Sequence, residues 1–65
     1  MIEIYGKDGC PYTQAARDAY EPKGGVYLNV TKDPQAMARM VELSKGRRVP
    51  VIVEDGNVTV GYGGT

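Results

Sequence analysis

A single cysteine, Cys10, stands in the stretch Lys7-Asp8-Gly9-Cys10-Pro11-Tyr12-Thr13, between a segment that reads as a strand and one that reads as a helix. Met1 to Tyr5 alternates apolar and polar residues and is rich in strand formers, whereas Gln14-Ala15-Ala16-Arg17-Asp18-Ala19-Tyr20 favours helix. Pro11 suits the first helical turn, because the N–H it lacks has no intrahelical partner there. Cys10 therefore falls at or near an N-cap, beside unpaired backbone N–H groups and the positive end of the helix dipole. Both favour a thiolate over a thiol. The bland alternative, a cysteine buried as a small hydrophobe, fits poorly, since a Gly-Cys-Pro loop is a poor place to hide a side chain.

The rest of the composition narrows the function. At 65 residues the chain holds one domain, residues 1–65, and a chain of this size buries only roughly 60 % of the surface its unfolded form exposes. One cysteine excludes an internal disulfide, and with no histidine beside it the chain has no ligand set for zinc, so no metal site is expected. Eight basic residues balance eight acidic ones, which leaves no broad cationic field for nucleic acid or anionic lipid. The apolar run Val49 to Val53 is broken by Pro50 and is too short to span a bilayer, and the N-terminus lacks the pattern of a signal peptide. The default expectation is a cytoplasmic protein in a reducing compartment.

In chain order, Ile2 to Tyr5 is the first strand, with Ile2 and Ile4 on one face and Glu3 and Tyr5 on the other. Gly6 to Gly9 reads as a loop and Pro11 to Tyr20 as a helix that stops before Glu21-Pro22. Val26 to Val30 is a second strand after the Lys23-Gly24-Gly25 turn. Asp33-Pro34 then supplies an N-cap and a first helical residue. Met37, Met40, Val41 and Ser44, with Ala36 and Leu43 alongside, form the core-facing stripe of the second helix, and Lys45-Gly46 carries its stop signal, with Gly46 suited to positive φ. Val51 to Val53 and Val58 to Val60 flank an Asp55-Gly56 hairpin turn. The first two strands are expected to be parallel with a right-handed crossover, and the closing hairpin antiparallel.

A parallel unit with Cys10-Pro11-Tyr12 at its first strand-to-helix turn, then Arg47-Arg48-Val49-Pro50 before a hairpin and a glycine-rich end, resembles the glutaredoxin branch of the thioredoxin fold. The resemblance covers nearly the whole chain. It implies an α/β fold of βαβ-α-ββ order with a four-stranded mixed sheet, in which the helix that usually closes the family's fold is missing. It implies a cis bond before Pro50, which faces the reactive cysteine across a groove, with the Val49 backbone offered to an extended peptide such as glutathione. Relatives of this short style also include a group whose reactive position can hold selenocysteine.

Three departures shape the functional expectation. Glutaredoxins often carry Cys-Pro-Tyr-Cys, and here the fourth position is Thr13, so the chain has no resolving thiol. The Gly-Gly-x-Asp segment of the family is replaced by Val60-Gly61-Tyr62-Gly63-Gly64-Thr65, without the acidic residue that helps hold the glutathione amino end. The missing helix is expected to leave the face carrying Glu3, Tyr5, Ile52 and Thr59 thinly covered. The resulting expectation is a glutathione-dependent thiol-disulfide oxidoreductase with a monothiol mechanism. Cys10, Thr13 and Lys7 do the chemistry, and Tyr12, Arg48 (or Arg47), Val49, Pro50 and Gly61 line the binding groove. Glutathione is the co-substrate and mixed disulfides are the partners of a monomer or weak homodimer. The alternative is a glutathione-assisted carrier with a [2Fe-2S] cluster bridged by two copies of Cys10, or a redox interaction module. The bland readings are a solvated loop for Lys7, Arg47 and Arg48, an ordinary first-turn residue for Thr13, surface packing for Tyr12, a strand-start proline for Pro50 and a frayed end for the glycines. Met37 and Met40 read as core.

Overall fold

Strand formers that alternate in polarity at the N-terminus become the middle of a sheet. The computed structural model describes residues 1–64, and Thr65 lies outside the described residues. The elements are β1 (Ile2–Gly6), α1 (Pro11–Tyr20), a 3-10 turn (Glu21–Lys23), β2 (Val26–Asn29), α2 (Pro34–Ser44), β3 (Val51–Glu54) and β4 (Asn57–Val60). The sheet order is β2-β1-β3-β4, with β1 parallel to β2, antiparallel to β3, and β3 antiparallel to β4. β1 is one residue longer than its hydrophobic pattern suggests: Gly6 stays in the ladder opposite Asn29 and accepts from the Val30 N–H at 2.9 Å. The chain also does not leave helical geometry at Glu21-Pro22 but tightens into the 3-10 turn, where Pro22 sits in the first turn and loses no bond.

Each face of the sheet carries one helix. Ile4 pairs with Ile52 and Tyr27 across the sheet, so this face meets α1, and Ile2, Ile4, Ala16 and Ile52 form its buried core. Tyr5 pairs with Leu28 and Val51, and this opposite face packs under α2 with Val30, Ala36 and Met40. Asp33 caps α2 by accepting from the N–H groups of Gln35 and Ala36 at 3.1 and 3.2 Å. The stop of α2 differs from the expected one: Lys45, not Gly46, takes the left-handed conformation, at φ 63°. The β3–β4 turn matches its sequence signal, with Asp55 at φ 51° and Gly56 at φ 87°, both positive as a type I′ turn requires.

The expected thin cover is corrected in two ways. The four residues lie on two faces: Glu3 and Tyr5 face α2, while Ile52 and its partner Thr59 face α1. Tyr5 is 0 % and Ile52 2 % exposed, whereas Glu3 is half-buried and Thr59 is exposed as expected. Two things provide this cover. Tyr62, just after β4, packs against the core cluster of Ile2, Ile4, Ala16 and Ile52 and meets Tyr20 edge to face at 6.0 Å. On the other face the buried Tyr5 hydroxyl donates to Glu3 at 3.0 Å and accepts from Arg39 Nε at 2.8 Å, which satisfies the polar tip of a ring that α2 covers.

Two stability measurements check these assignments. Tyr62→Ala is expected to cost about 1–2 kcal/mol and lower the thermal midpoint by roughly 4–10 °C. Lys45→Gly is expected to move the midpoint the other way, with a gain of about 0.5–1 kcal/mol from relieving a left-handed residue that carries a Cβ. Calorimetric melts of both variants decide the point.

Candidate active site

β1 ends with Gly6, and the chain must turn within four residues to start α1 above the sheet. Gly9 makes the turn at φ 81°, a conformation a Cβ disfavours. Cys10 follows with extended backbone (φ −87°, ψ 118°), and its carbonyl accepts from Gln14 N–H at 2.9 Å, the first bond of the helix. Cys10 is therefore the N-cap residue, partly exposed and outside any disulfide. The thiol makes no capping hydrogen bond of its own; the donors around it act on the anion.

Those donors hold the Cys10 thiol below its ordinary value. The largest cause is the Thr13 hydroxyl, followed by the Thr13 backbone N–H; burial opposes them, and the Tyr12 N–H and the Lys7 charge add smaller pulls the same way. Thr13 is 2 % exposed and its Oγ1 accepts from Lys7 N–H at 3.4 Å, a long bond that ties the hydroxyl to the loop before the cysteine. No acidic side chain lies in the first turn of α1 to oppose the anion. Lys7 itself is exposed.

Three other segments converge on this end of the sheet. β3 runs antiparallel to β1 with Tyr5 opposite Val51, so Val49 and Pro50 lie where β1 passes into the Cys10 loop. The Val49–Pro50 peptide is cis, Val49 is half-buried and Pro50 is buried. Val60 pairs with Val51, which brings Gly61 alongside, and Gly61 donates its N–H to the Pro50 carbonyl at 2.7 Å. That N–H is consumed inside the protein, so Gly61 has only its carbonyl left for a ligand. Tyr12 is 42 % exposed, and a Cβ built on Gly63 would lie 4.0 Å from its ring. Arg47 and Arg48 are exposed, and neither forms an ion pair among the described residues. Of the sequence-derived set, Cys10, Tyr12 and Thr13 share the first turn of α1, and the Lys7 N–H bonds the Thr13 hydroxyl. Val49, Pro50 and Gly61 form a second group, and Arg47 and Arg48 stand in solvent.

Asp8 and Tyr27 join the site without having been marked by the sequence. The Tyr27 hydroxyl donates to Asp8 at 2.9 Å, Arg17 stacks 4.0 Å from the Tyr27 ring centre, and Lys32 lies 3.8 Å from Asp8. Burial, then Asp8, push the Tyr27 phenol up to about 12. The cysteine loop is thus tethered to the β2 edge. The signal was the strand alternation itself, which sends Tyr27 to the α1 face with Ile4.

A cavity of about 270 Å³ lined by Glu3, Arg39, Leu43, Val53, Asp55 and Val58 lies at the opposite end of the sheet. The chemistry of Cys10 is at the open surface instead. Among the described residues no three His, Cys, Asp or Glu side chains gather as a metal site, and a cluster would have to take its other thiolates from outside the chain. No helix among the described residues is long and apolar enough to cross a membrane.

Comparison with known proteins agrees with the geometry. The glutaredoxin family model matches residues 2–59, and the chain belongs to the glutaredoxin family. It is 38 % identical over 64 residues to a glutaredoxin-like 8.6 kDa protein encoded in a rubredoxin operon of Clostridium pasteurianum, with 95 % of this chain and 85 % of that protein covered. The crystal structure of a glutaredoxin from Archaeoglobus fulgidus superposes with a TM-score of 0.81 at 19 % identity, covering 95 % of this chain and 75 % of that one. The glutaredoxin-like NrdH-redoxin of Escherichia coli superposes with a TM-score of 0.75 at 26 % identity, covering 95 % and 83 %. The fold is accordingly thioredoxin-like, and the protein is a glutaredoxin-like redox protein of a family whose members are generally thiol oxidoreductases.

The electrostatics of the site predict its pH behaviour. The rate of Cys10 alkylation should reach half its maximum below the ordinary thiol value of about 8.5. Thr13→Val should move that midpoint upward by more than Lys7→Gln does, because the hydroxyl is the larger influence. The folded thiol sits below its unfolded value, so Cys10 contributes stability that is present above the unfolded value and lost as pH falls through the folded one. The stability difference between wild type and Cys10→Ser should therefore grow with rising pH, and denaturant melts at roughly one-unit steps from about pH 6 to about pH 9, on both sides of the ordinary thiol value of about 8.5, read it.

Proposed function

We propose that this glutaredoxin is a thiol-disulfide oxidoreductase that works through Cys10 alone, with glutathione as co-substrate. The observation that carries the reading is an N-cap cysteine whose anion is stabilised by Thr13, at the position where relatives keep a second cysteine. In the first step the Cys10 thiolate attacks the glutathione sulfur of a mixed disulfide. The Cys10–glutathione disulfide forms, the old S–S bond breaks, and the released thiolate takes a proton from solvent. In the second step the thiolate of another glutathione attacks the glutathione sulfur of that intermediate. Glutathione disulfide leaves, and Cys10 returns as a thiolate. In sum one glutathione thiol enters, the substrate thiol is released, and the disulfide passes from the mixed disulfide to glutathione disulfide.

The roles follow from position. The Thr13 hydroxyl favours Cys10 both as nucleophile and as leaving group, since both are the same anion, and Lys7 adds charge. The Val49 backbone beside Pro50 offers an edge for the extended tripeptide, Tyr12 a wall, Gly61 a carbonyl, and Arg48 a guanidinium for a carboxylate. The Escherichia coli NrdH-redoxin is described as having a thioredoxin-like activity profile. A thioredoxin-like route here would need a second thiol to release a protein from Cys10, and Thr13 does not supply one. Incubation with glutathione disulfide should add one glutathione to wild type and none to Cys10→Ser, as read by intact mass. An unmodified wild-type mass sinks the proposal, and a coloured dimer after anaerobic iron and sulfide loading would support the cluster-carrier alternative instead.

A further inference from the structure

Gly6 lies at the end of β1 with the ordinary backbone of a strand, paired with Asn29, and its φ is not left-handed. Neither a turn nor a ligand requires glycine there. What requires it is space: a Cβ at Gly6 would collide with Cγ2 of Thr13 and lie 2.7 Å from its Oγ1 and 3.1 Å from its Cβ. Rotating the Thr13 side chain does not clear this. Two of its three staggered positions hold heavy atoms, and both face Gly6, so turning the hydrogen toward one contact leaves a heavy atom in the other.

The same hydroxyl is oriented by its neighbour. Thr13 Oγ1 accepts from the Lys7 N–H, one residue beyond Gly6. With that lone pair engaged, the O–H is left to donate elsewhere, and the Thr13 hydroxyl is the largest influence holding the Cys10 thiol, three residues earlier in the same turn, below its ordinary value. The side chain is buried, so water does not replace the hydroxyl if it moves.

We propose that Gly6 is a positioning residue for Cys10: by lacking a Cβ it gives Thr13 the seat from which its hydroxyl donates to the sulfur. This rests on the redox role of Cys10 proposed above, but it concerns the reactivity of the sulfur and not the identity of the thiol it reacts with. The end of β1 thereby tunes a nucleophile it does not touch.

The test reads the iodoacetamide alkylation rate of Cys10 at neutral pH, with folding followed by circular dichroism, and uses no glutathione. Gly6→Ala is expected to slow alkylation roughly three- to tenfold, as Thr13→Ala does, the loss of one hydrogen bond to an anion. In a Thr13→Ala background the same Gly6→Ala change should leave the rate unmoved, because the two closest atoms, Cγ2 and Oγ1, are gone, and with them the hydroxyl that would be displaced. An unchanged rate for Gly6→Ala in the wild-type background, or an equal slowing in both backgrounds, overturns the proposal. Should Gly6→Ala alone not fold, Gly6→Ala/Thr13→Ser, which lacks the colliding methyl, is compared with Thr13→Ser. A slower thiol in the pair supports the proposal, and equal rates overturn it. A glutathione adduct that fails to form while this coupling is observed counts against the proposed co-substrate alone.

Discussion

Everything at the reactive end of the molecule depends on how the first turn of α1 seats against the end of β1. The contact is small: a glycine without a side chain on the strand, a buried threonine on the helix, and one long hydrogen bond from Lys7 N–H. Yet it decides where the helix N-terminus points and what faces the N-cap sulfur. A helix end alone offers a cysteine the dipole and spare N–H groups. Here those general features are joined by a hydroxyl whose direction is set by the strand.

The energetics of so short a chain explain why the surrounding structure is spare. With two helices and four short strands, each sheet face receives one helix and little else. Tyr62, edge to face with Tyr20, packs on the core that holds Ile2, Ile4, Ala16 and Ile52. On the other face a buried Tyr5 would be a liability without Glu3 and Arg39 to satisfy its hydroxyl. The reactive loop keeps its own tether, through Asp8, to Tyr27 on the β2 edge.

Much of this was legible in the residues, and the parts that were not share a cause. The order of elements followed from alternation, Pro11 and Asp33-Pro34 at helix starts, and Asp55-Gly56 at the hairpin, all of which are local signals. Cys10 at an N-cap followed from the same local spacing. What sequence could not supply was register between strands. The face shared by Glu3, Tyr5, Ile52 and Thr59 divided into two because β1 and β3 pair Ile4 with Ile52, one residue off the supposed alignment. The importance of Gly6 was hidden for a similar reason, since it read as loop, and its neighbour seven residues later is near only once the turn is built. Gly46 was read as the helix stop because glycine tolerates positive φ, but the helix ends one residue sooner and Lys45 takes that conformation. Gly61, expected to line the binding groove, spends its N–H on the Pro50 carbonyl.

The central claim is that one sulfur, stabilised as an anion, does all the covalent work and depends on an outside thiol to let go. Steady-state reduction of a glutathionylated peptide, with glutathione and peptide varied independently, tests this most directly. Parallel double-reciprocal lines, as a covalent Cys10 intermediate demands, with activity abolished in Cys10→Ser, are the predicted result. Intersecting lines, or activity that survives the loss of the cysteine, would contradict it.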